Sequence, residues 1–367
     1  MVYYLITAVI VCLLALLVEK EEAGNNEFEN TGIMTRVQFK NKIVLATIFF
    51  VLFAFSALRI AVGKDYWSYT SIFSLLAQGR DKSVATEIGF NLLVKLVQVV
   101  FGFDGKKYII IFAIVAFVTI LLFLKGIKEQ SEWFALSLFL YIALGFYASS
   151  FNSIRNYLAF AFAFYSVKYI FKRDFVKFAI IILLGATFHM TVLVVLIAYP
   201  LGLVKWKWWK GAILGAGCIS LLAFPNFYRR IVFLIYPHYE NSIFDVGDFS
   251  IINIIRCFGV IALSLILYKR VLKNNEKNMF FFNMNVFAAV IYCFCSFLPL
   301  ISRIGYYFNI YQIILIPEII KAMPKKWMRV ASTVAIIVLG SGYYIYFIYS
   351  SKTNGTGLIP YFNWVTN

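Results

Sequence analysis

Few residues in this 367-residue chain can carry acid–base or anion chemistry, and they are unevenly placed. One of the two histidines, His189, sits in "ILLGATFHMTVLVVLIAYP" (182–200) with about ten mostly apolar residues on each side. An imidazole titrates near neutral pH, so His189 is a candidate proton acceptor; a satisfied core or helix-capping histidine is the other reading. Two carboxylates join it as candidates, Asp65 in "RIAVGKDYWSY" (59–69) and Glu87 in "TEIGF" (86–90). Either can act as a base or orient hydroxyls, or be a solvated loop charge. Arg59, Arg155, Arg256 and Arg303 lie near the ends of apolar runs. A guanidinium stays charged and grips phosphate through two parallel hydrogen bonds, so a converging set suits a phosphate or pyrophosphate. Singly, each can also be a snorkelling anchor. Tyr66, Trp67 and Tyr69 offer flat faces for sugar rings or form an interfacial aromatic belt. His238, in "YPHYENSIFDVGDFS" (236–250), is expected in an exposed loop.

The absences narrow the chemistry. No phosphate-cradling G-x-x-x-x-G-K-[ST] or G-x-S-x-G elbow occurs, and no Cys/His or Asp-x-Asp pattern has metal-ligand spacing. Cys12, Cys218, Cys257, Cys293 and Cys295 all fall within or at the ends of apolar runs and read as packing residues. No cofactor, metal or nucleic-acid partner is expected.

The elements that must position these groups are membrane helices. Hydrophobic residues make up 62% of the chain and charged ones 14%, too apolar for a soluble surface. Apolar runs long enough to cross about 30 Å of hydrocarbon recur. The expected fold is all-α, a single polytopic membrane domain over 1–367. Its twelve spans lie near 2–18, 43–62, 108–124, 133–149, 154–171, 175–188, 190–204, 211–224, 251–268, 279–299, 304–320 and 328–349. The first run lacks a basic n-region and a small-residue cleavage site, and reads as a span. Basic clusters at 36–42, 125–128, 168–177, 205–210, 268–278 and 321–329 fall in alternate loops, and the positive-inside rule makes them cytoplasmic. Stretch 87–103 carries Lys95 and Gln98 mid-run and reads as an outer amphipathic segment. Because "KRDFVK" and "KWKWWK" both belong inside, the run between them must turn back near Gly185–His189, a broken-helix hairpin with His189 at its outer tip. Lysine then dominates the inner loops, whereas arginine outnumbers it outside, on the same face as Asp65, Glu87 and His189.

In order and spacing these motifs resemble the EpsG-like branch of Wzy-type polysaccharide polymerases. The resemblance runs along most of the chain. It comprises R-x-x-x-G-x-D-Y-x-x-Y at Arg59, Gly63, Asp65, Tyr66 and Tyr69, then E-x-G at Glu87 and Gly89. "NSIRNYLAFAFAFYSVKYI" with Arg155 follows, then the His189 stretch, "RIGYYFNIYQIILIP" with Arg303, Tyr306 and Tyr307, and the tail "LIPYFNW". Asn156 stands where glutamine is more usual. The resemblance implies a bacterial inner-membrane glycosyltransferase of exopolysaccharide, capsule or O-antigen assembly. Its substrate would be an oligosaccharide on undecaprenyl pyrophosphate, within membrane lipids and alongside a flippase and a chain-length regulator. His189, Asp65 and Glu87 would be catalytic. Arg59, Arg155, Arg256, Arg303, Tyr66, Tyr69, Tyr306 and Tyr307 would bind substrate and pyrophosphate. Two other classes suit the same features, a lipid-linked oligosaccharide flippase and a membrane acyltransferase acting on surface sugars. The apolar inner half disfavours the first, and the arginines and Asp-Tyr motif disfavour the second.

Overall fold

The computed structural model describes residues 1–20, 35–235, 240, 241, 245, 247, 249–298 and 301–364; His238 lies outside them. The chain opens with α1 (Val2–Ala15), α2 (Arg36–Ala57) and a short strand β1 (Arg59–Ile60). It continues through α3 (Tyr66–Ala77), α4 (Ile88–Phe101), α5 (Tyr108–Gln130), α6 (Phe134–Ala143), α7 (Phe146–Ser149), α8 (Ile154–Phe171) and α9 (Phe175–Ala186). A 3-10 segment, Met190–Ile197, leads into α10 (Ala198–Gly202), α11 (Trp208–Ala223), α12 (Pro225–Ile235) and α13 (Ile251–Ile266). Next come α14 (Tyr268–Val271), α15 (Glu276–Phe294), α16 (Ile301–Asn309) and α17 (Gln312–Lys321), before α18 (Lys326–Ser350) and strand β2 (Phe362–Asn363). The protein is an all-α membrane protein, and contacts group it into two compact units, Met1–Met190 with Val330–Asn367, and Thr191–Arg329.

Among the described residues, α2, α5 and α18 are each long and apolar enough to cross a bilayer. Helices α11 and α12 together form a further candidate bent by 89°. Most other expected spans are built from shorter pieces. The run 133–149, for example, breaks into α6 and α7 at Gly145, whose φ of 81° is the left-handed region glycine tolerates. Polar caps start helices inside the basic loops. Thr35 and Gln38 form a reciprocal capping box on α2, and Asp174 and Asn275 each accept the backbone N–H three residues on, at 3.0 Å. The amphipathic segment is α4. Phe90, Val94 and Val97 face the core, Gln98 donates to the Phe73 carbonyl at 2.8 Å, and Ile88, Leu92, Leu96 and Val99 stay exposed.

In the first unit α8 packs against both α5 and α9, and α5 against α2. The tail after α18 returns to the start of the chain. Tyr4 and Tyr361 donate to the carbonyls of Leu358 and Phe55 at 3.0 and 2.7 Å, and β2 pairs antiparallel with β1. In the second unit α15 packs against α10, α11, α13, α16 and α17. Its Asn283 is fully buried. Its amide donates to the carbonyls of Gly202 and Val204 at 3.0 and 2.9 Å and accepts the Trp206 indole N–H at 2.7 Å. One side chain thus satisfies the open carbonyl end of α10, which no water can reach in a dry interior. Replacing Asn283 by Leu should strand these groups and cost about 2–4 kcal/mol, read as a clear loss of thermal stability in detergent. An unchanged melting temperature would contradict this role.

Candidate active site

The site grows from one short docking event. The segment before α4 lies against the turn that ends α9. Gly89 donates its N–H to the Thr187 carbonyl at 2.8 Å, and a Cβ on Gly89 would overlap the Thr187 side chain and carbonyl. Only glycine fits there, and the glutamate two residues earlier is carried to the turn with it. α9 unwinds because the N–H groups of Phe188 and His189 both return to the Gly185 carbonyl, each at 3.0 Å, while Thr187 Oγ1 bonds the Leu184 carbonyl. The chain leaves the helix at His189, where the sequence placed the break.

Glu87 then takes three donors. Its Oε1 lies 3.0 Å from His189 Nδ1 and accepts the Met190 N–H at 3.3 Å; its Oε2 pairs with the Arg155 guanidinium. All three side chains are mostly buried, with His189 7% exposed as a residue. Burial alone would raise the Glu87 carboxyl. The hydrogen bond from His189 and the charge of Arg155 outweigh it and hold that carboxyl below its ordinary value. Glu87 is therefore a carboxylate at neutral pH. A neutral His189 that donates Nδ1–H to it carries its lone pair on Nε2, and Nε2 is buried with no hydrogen-bond partner among the described residues. A carboxylate-held imidazole with a bare second nitrogen is the arrangement of a general base.

Arg155 enters from the first turn of α8, with its guanidinium over the rings of Tyr69 and Phe90 at 6.0 and 5.6 Å. Its Nε is buried and unpartnered among the described residues. Burial pushes the Tyr69 phenol up from its ordinary value, and Arg155 offsets only part of this. The start of α8 is fixed by the segment 63–65. Gly63, at φ 99°, presses against the Phe151 carbonyl, Lys64 N–H donates to Asn152 Oδ1, and Ser153 Oγ donates to Asp65 Oδ2 at 3.1 Å. On its other side this segment is tied to the tail, where Gly357 and Thr356 carbonyls accept the N–H groups of Gly63 and Lys64 at 2.8 and 2.9 Å. Asp65 therefore positions the helix that carries Arg155.

The structure brings Glu87, Arg155 and His189 together, with Tyr69 beneath the Arg155 guanidinium. Tyr66 and Tyr69 are not open platforms: both are buried in an aromatic core, Tyr66 stacked on Phe112 at 4.8 Å, while Trp67 is the exposed ring of that segment. Arg59 is 2% exposed, closed between the rings of Phe112 and Phe151. The second unit holds Arg256, Arg303, Tyr306 and Tyr307. Arg256 is half-buried and donates to Asn253 at 2.7 Å, and the buried Tyr307 hydroxyl lies 3.3 Å from Thr191 Oγ1. Arg303 and Tyr306 are half-buried on α16. Arg229 on α12 holds both oxygens of Asp245 at 2.7 and 2.9 Å. Sequence reasoning missed Asn152 and Ser153, whose signal is their place directly before Arg155.

The fold and the site together are those of an all-α membrane protein in which a buried histidine and an arginine share one carboxylate. The family model of EpsG proteins matches residues 42–363, which include every residue of this site, and the chain belongs to the EpsG family. Membership supports, at the family level, a polymerase role in polysaccharide biosynthesis. No curated protein matches the chain, and no solved structure does.

Two outcomes follow from this geometry. Because the folded Glu87 carboxyl sits below its ordinary 4.5, its ion pair stabilises the fold fully above that value and is lost as pH falls through the lowered one. The melting-temperature gap between the native chain and Glu87→Gln should thus be widest near neutral pH and close under acid; a gap that widens with acid would contradict it. Arg155→Lys keeps the charge but loses the planar fork and its seat on Tyr69 and Phe90. Activity should fall by about tenfold or more with normal protein levels in the membrane, and equal activity would make Arg155 a mere anchor.

Proposed function

We propose that the protein is a Wzy-type repeat-unit polymerase of twelve spans in the bacterial cytoplasmic membrane, with its active site facing outward. It transfers the growing glycan from undecaprenyl pyrophosphate to a sugar hydroxyl of an incoming lipid-linked repeat unit. The observation that carries this reading is the Glu87-held His189 with Nε2 left bare. Family membership supports the polymerase class, and α2, α5 and α18, each long and apolar enough to cross a bilayer, support a multi-pass membrane protein.

In this reading the acceptor hydroxyl loses its proton to His189 Nε2 as its oxygen attacks the anomeric carbon. The bond from that carbon to the pyrophosphate oxygen breaks, and undecaprenyl pyrophosphate leaves with the electron pair. Direct displacement inverts the anomeric configuration. Glu87 orients the imidazole and stabilises its protonated form, and such a base contributes about 10²–10⁴-fold. Arg155 faces the departing pyrophosphate and stabilises the charge that develops on it. The activated donor supplies the driving force, so the reaction proceeds without metal or cofactor. Membrane lipids surround the chain, and a flippase and a chain-length regulator are its functional partners.

A second reading has its own observation. Three donors on one buried carboxylate also make a structural clasp joining α4, α8 and the α9 turn. The two separate by experiment. Purified protein in liposomes, given lipid-linked repeat units, should yield a ladder of longer glycans. His189→Gln should lose the ladder by about 100-fold or more while melting normally and still binding donor. A well-folded Gln variant that still elongates would leave only the clasp. For topology, a cysteine at Lys82 on a cysteine-free background should react with an impermeant thiol reagent applied outside, and one at Lys273 should not; the reverse pattern would invert the site.

A further inference from the structure

Arg59 presents a problem that the polymerase chemistry does not use. Its guanidinium lies 5.0 and 4.8 Å from the Phe112 and Phe151 ring centroids. Nη1 donates to the Ser56 carbonyl and, at 3.1 Å, to Ser56 Oγ. Nε and Nη2 are buried without any hydrogen-bond partner, and no carboxylate pairs with Arg59 among the described residues. An isolated ion in an apolar interior is among the costliest things a fold can hold, and ring faces and one carbonyl offset only part of that cost.

Arg59 lines a small cavity with Ser56, Thr119 and Ser150, walled by apolar side chains including Val115 and Ile154. Thr119 Oγ1 is likewise buried with no partner. Unpartnered Arg59 and Thr119 donors thus belong to a cavity with room for about one water-sized guest. A tetrahedral phosphate is too large to enter. Water would satisfy the donors but not the charge; a monatomic anion satisfies both.

We propose that this cavity is a halide site, in which one chloride, held by Arg59 Nε and Nη2 and the Thr119 hydroxyl, neutralises the buried guanidinium. The ion is structural. It holds the end of α2 against α5, and with it β1, on which the 63–65 segment and the tail strand β2 are built.

The test uses the full-length protein in detergent at constant ionic strength, exchanging gluconate for chloride or bromide. The native chain should melt higher in either halide, saturably. Thr119→Val should need roughly tenfold more halide for the same rise, since one hydrogen bond to the ion is gone. Arg59→Met should show no halide dependence. Because that variant removes a buried residue and can fail to fold, the same protein is also to be crystallised in bromide, where an anomalous peak beside Arg59 and Thr119 is expected. A melting temperature indifferent to halide, or a water-like density there with no bromide signal, would overturn the proposal.

Discussion

Everything around the candidate site depends on where one carboxylate is held. Glu87 is the shared acceptor for Arg155 on α8, for His189 at the end of α9 and for the backbone N–H of Met190. Its position is set by a backbone contact two residues later, where Gly89 meets Thr187 closely enough that no side chain fits between them. The turn then gains the charge that keeps its imidazole oriented, and the arginine gains a counter-ion. In a low-dielectric interior such a network is stable only when its members are paired, so loss of one member strands the others. The groups left open, His189 Nε2 and Arg155 Nε, are the ones a substrate would have to complete.

A second layer of order supports the first. Asp65 does not sit in the clasp; it holds Ser153, and through it the start of the helix that brings Arg155. Strand β2 and the tail carbonyls hold the Asp65 segment from the opposite side. Residues far apart in sequence, at 63–65, 151–155 and 356–364, are one mechanical unit. In the second unit, buried amides do similar work: Asn283 ends α10, and Asn285, two residues on and turned to another face of the same helix, donates to the Cys257 carbonyl at 2.9 Å and accepts from Gln312.

Much of this was legible in the sequence because membranes restrict the choices. Apolar runs between basic clusters give helices, and the expectation that two clusters about 30 residues apart share one side pointed to the break at His189. Lys95 and Gln98 set α4 apart from a plain apolar span, although Gln98 turns inward to the Phe73 carbonyl and the exposed face carries Ile88, Leu92, Leu96 and Val99. The candidate trio was also visible as residue types, since histidine, glutamate and arginine beside apolar runs are costly unless used. Their pairing was not. Nothing in the spacing of Glu87, Arg155 and His189 says which carboxylate meets the histidine, because that follows from the Gly89 contact in three dimensions. Tyr66 and Tyr69 read equally well as platforms or packing, and burial decided between them. Arg59 looked like its fellow arginines until its rings and cavity were seen. The grouping into two units divides the chain just past the Gly185–His189 break, at Met190–Thr191, and again at Arg329–Val330, and rests on contacts that spacing along the chain does not encode.

The central claim is that Glu87 fixes the His189 tautomer and leaves Nε2 as the free base. The chain has two histidines, so a His238→Asn variant with ring-labelled histidine gives one imidazole to observe by nitrogen NMR in detergent. The neutral ring should show a proton on Nδ1 and a bare Nε2, and Glu87→Gln should weaken that preference. A neutral ring protonated at Nε2 would contradict the claim, since His189 could then neither donate to Glu87 nor accept a proton from substrate at its open nitrogen.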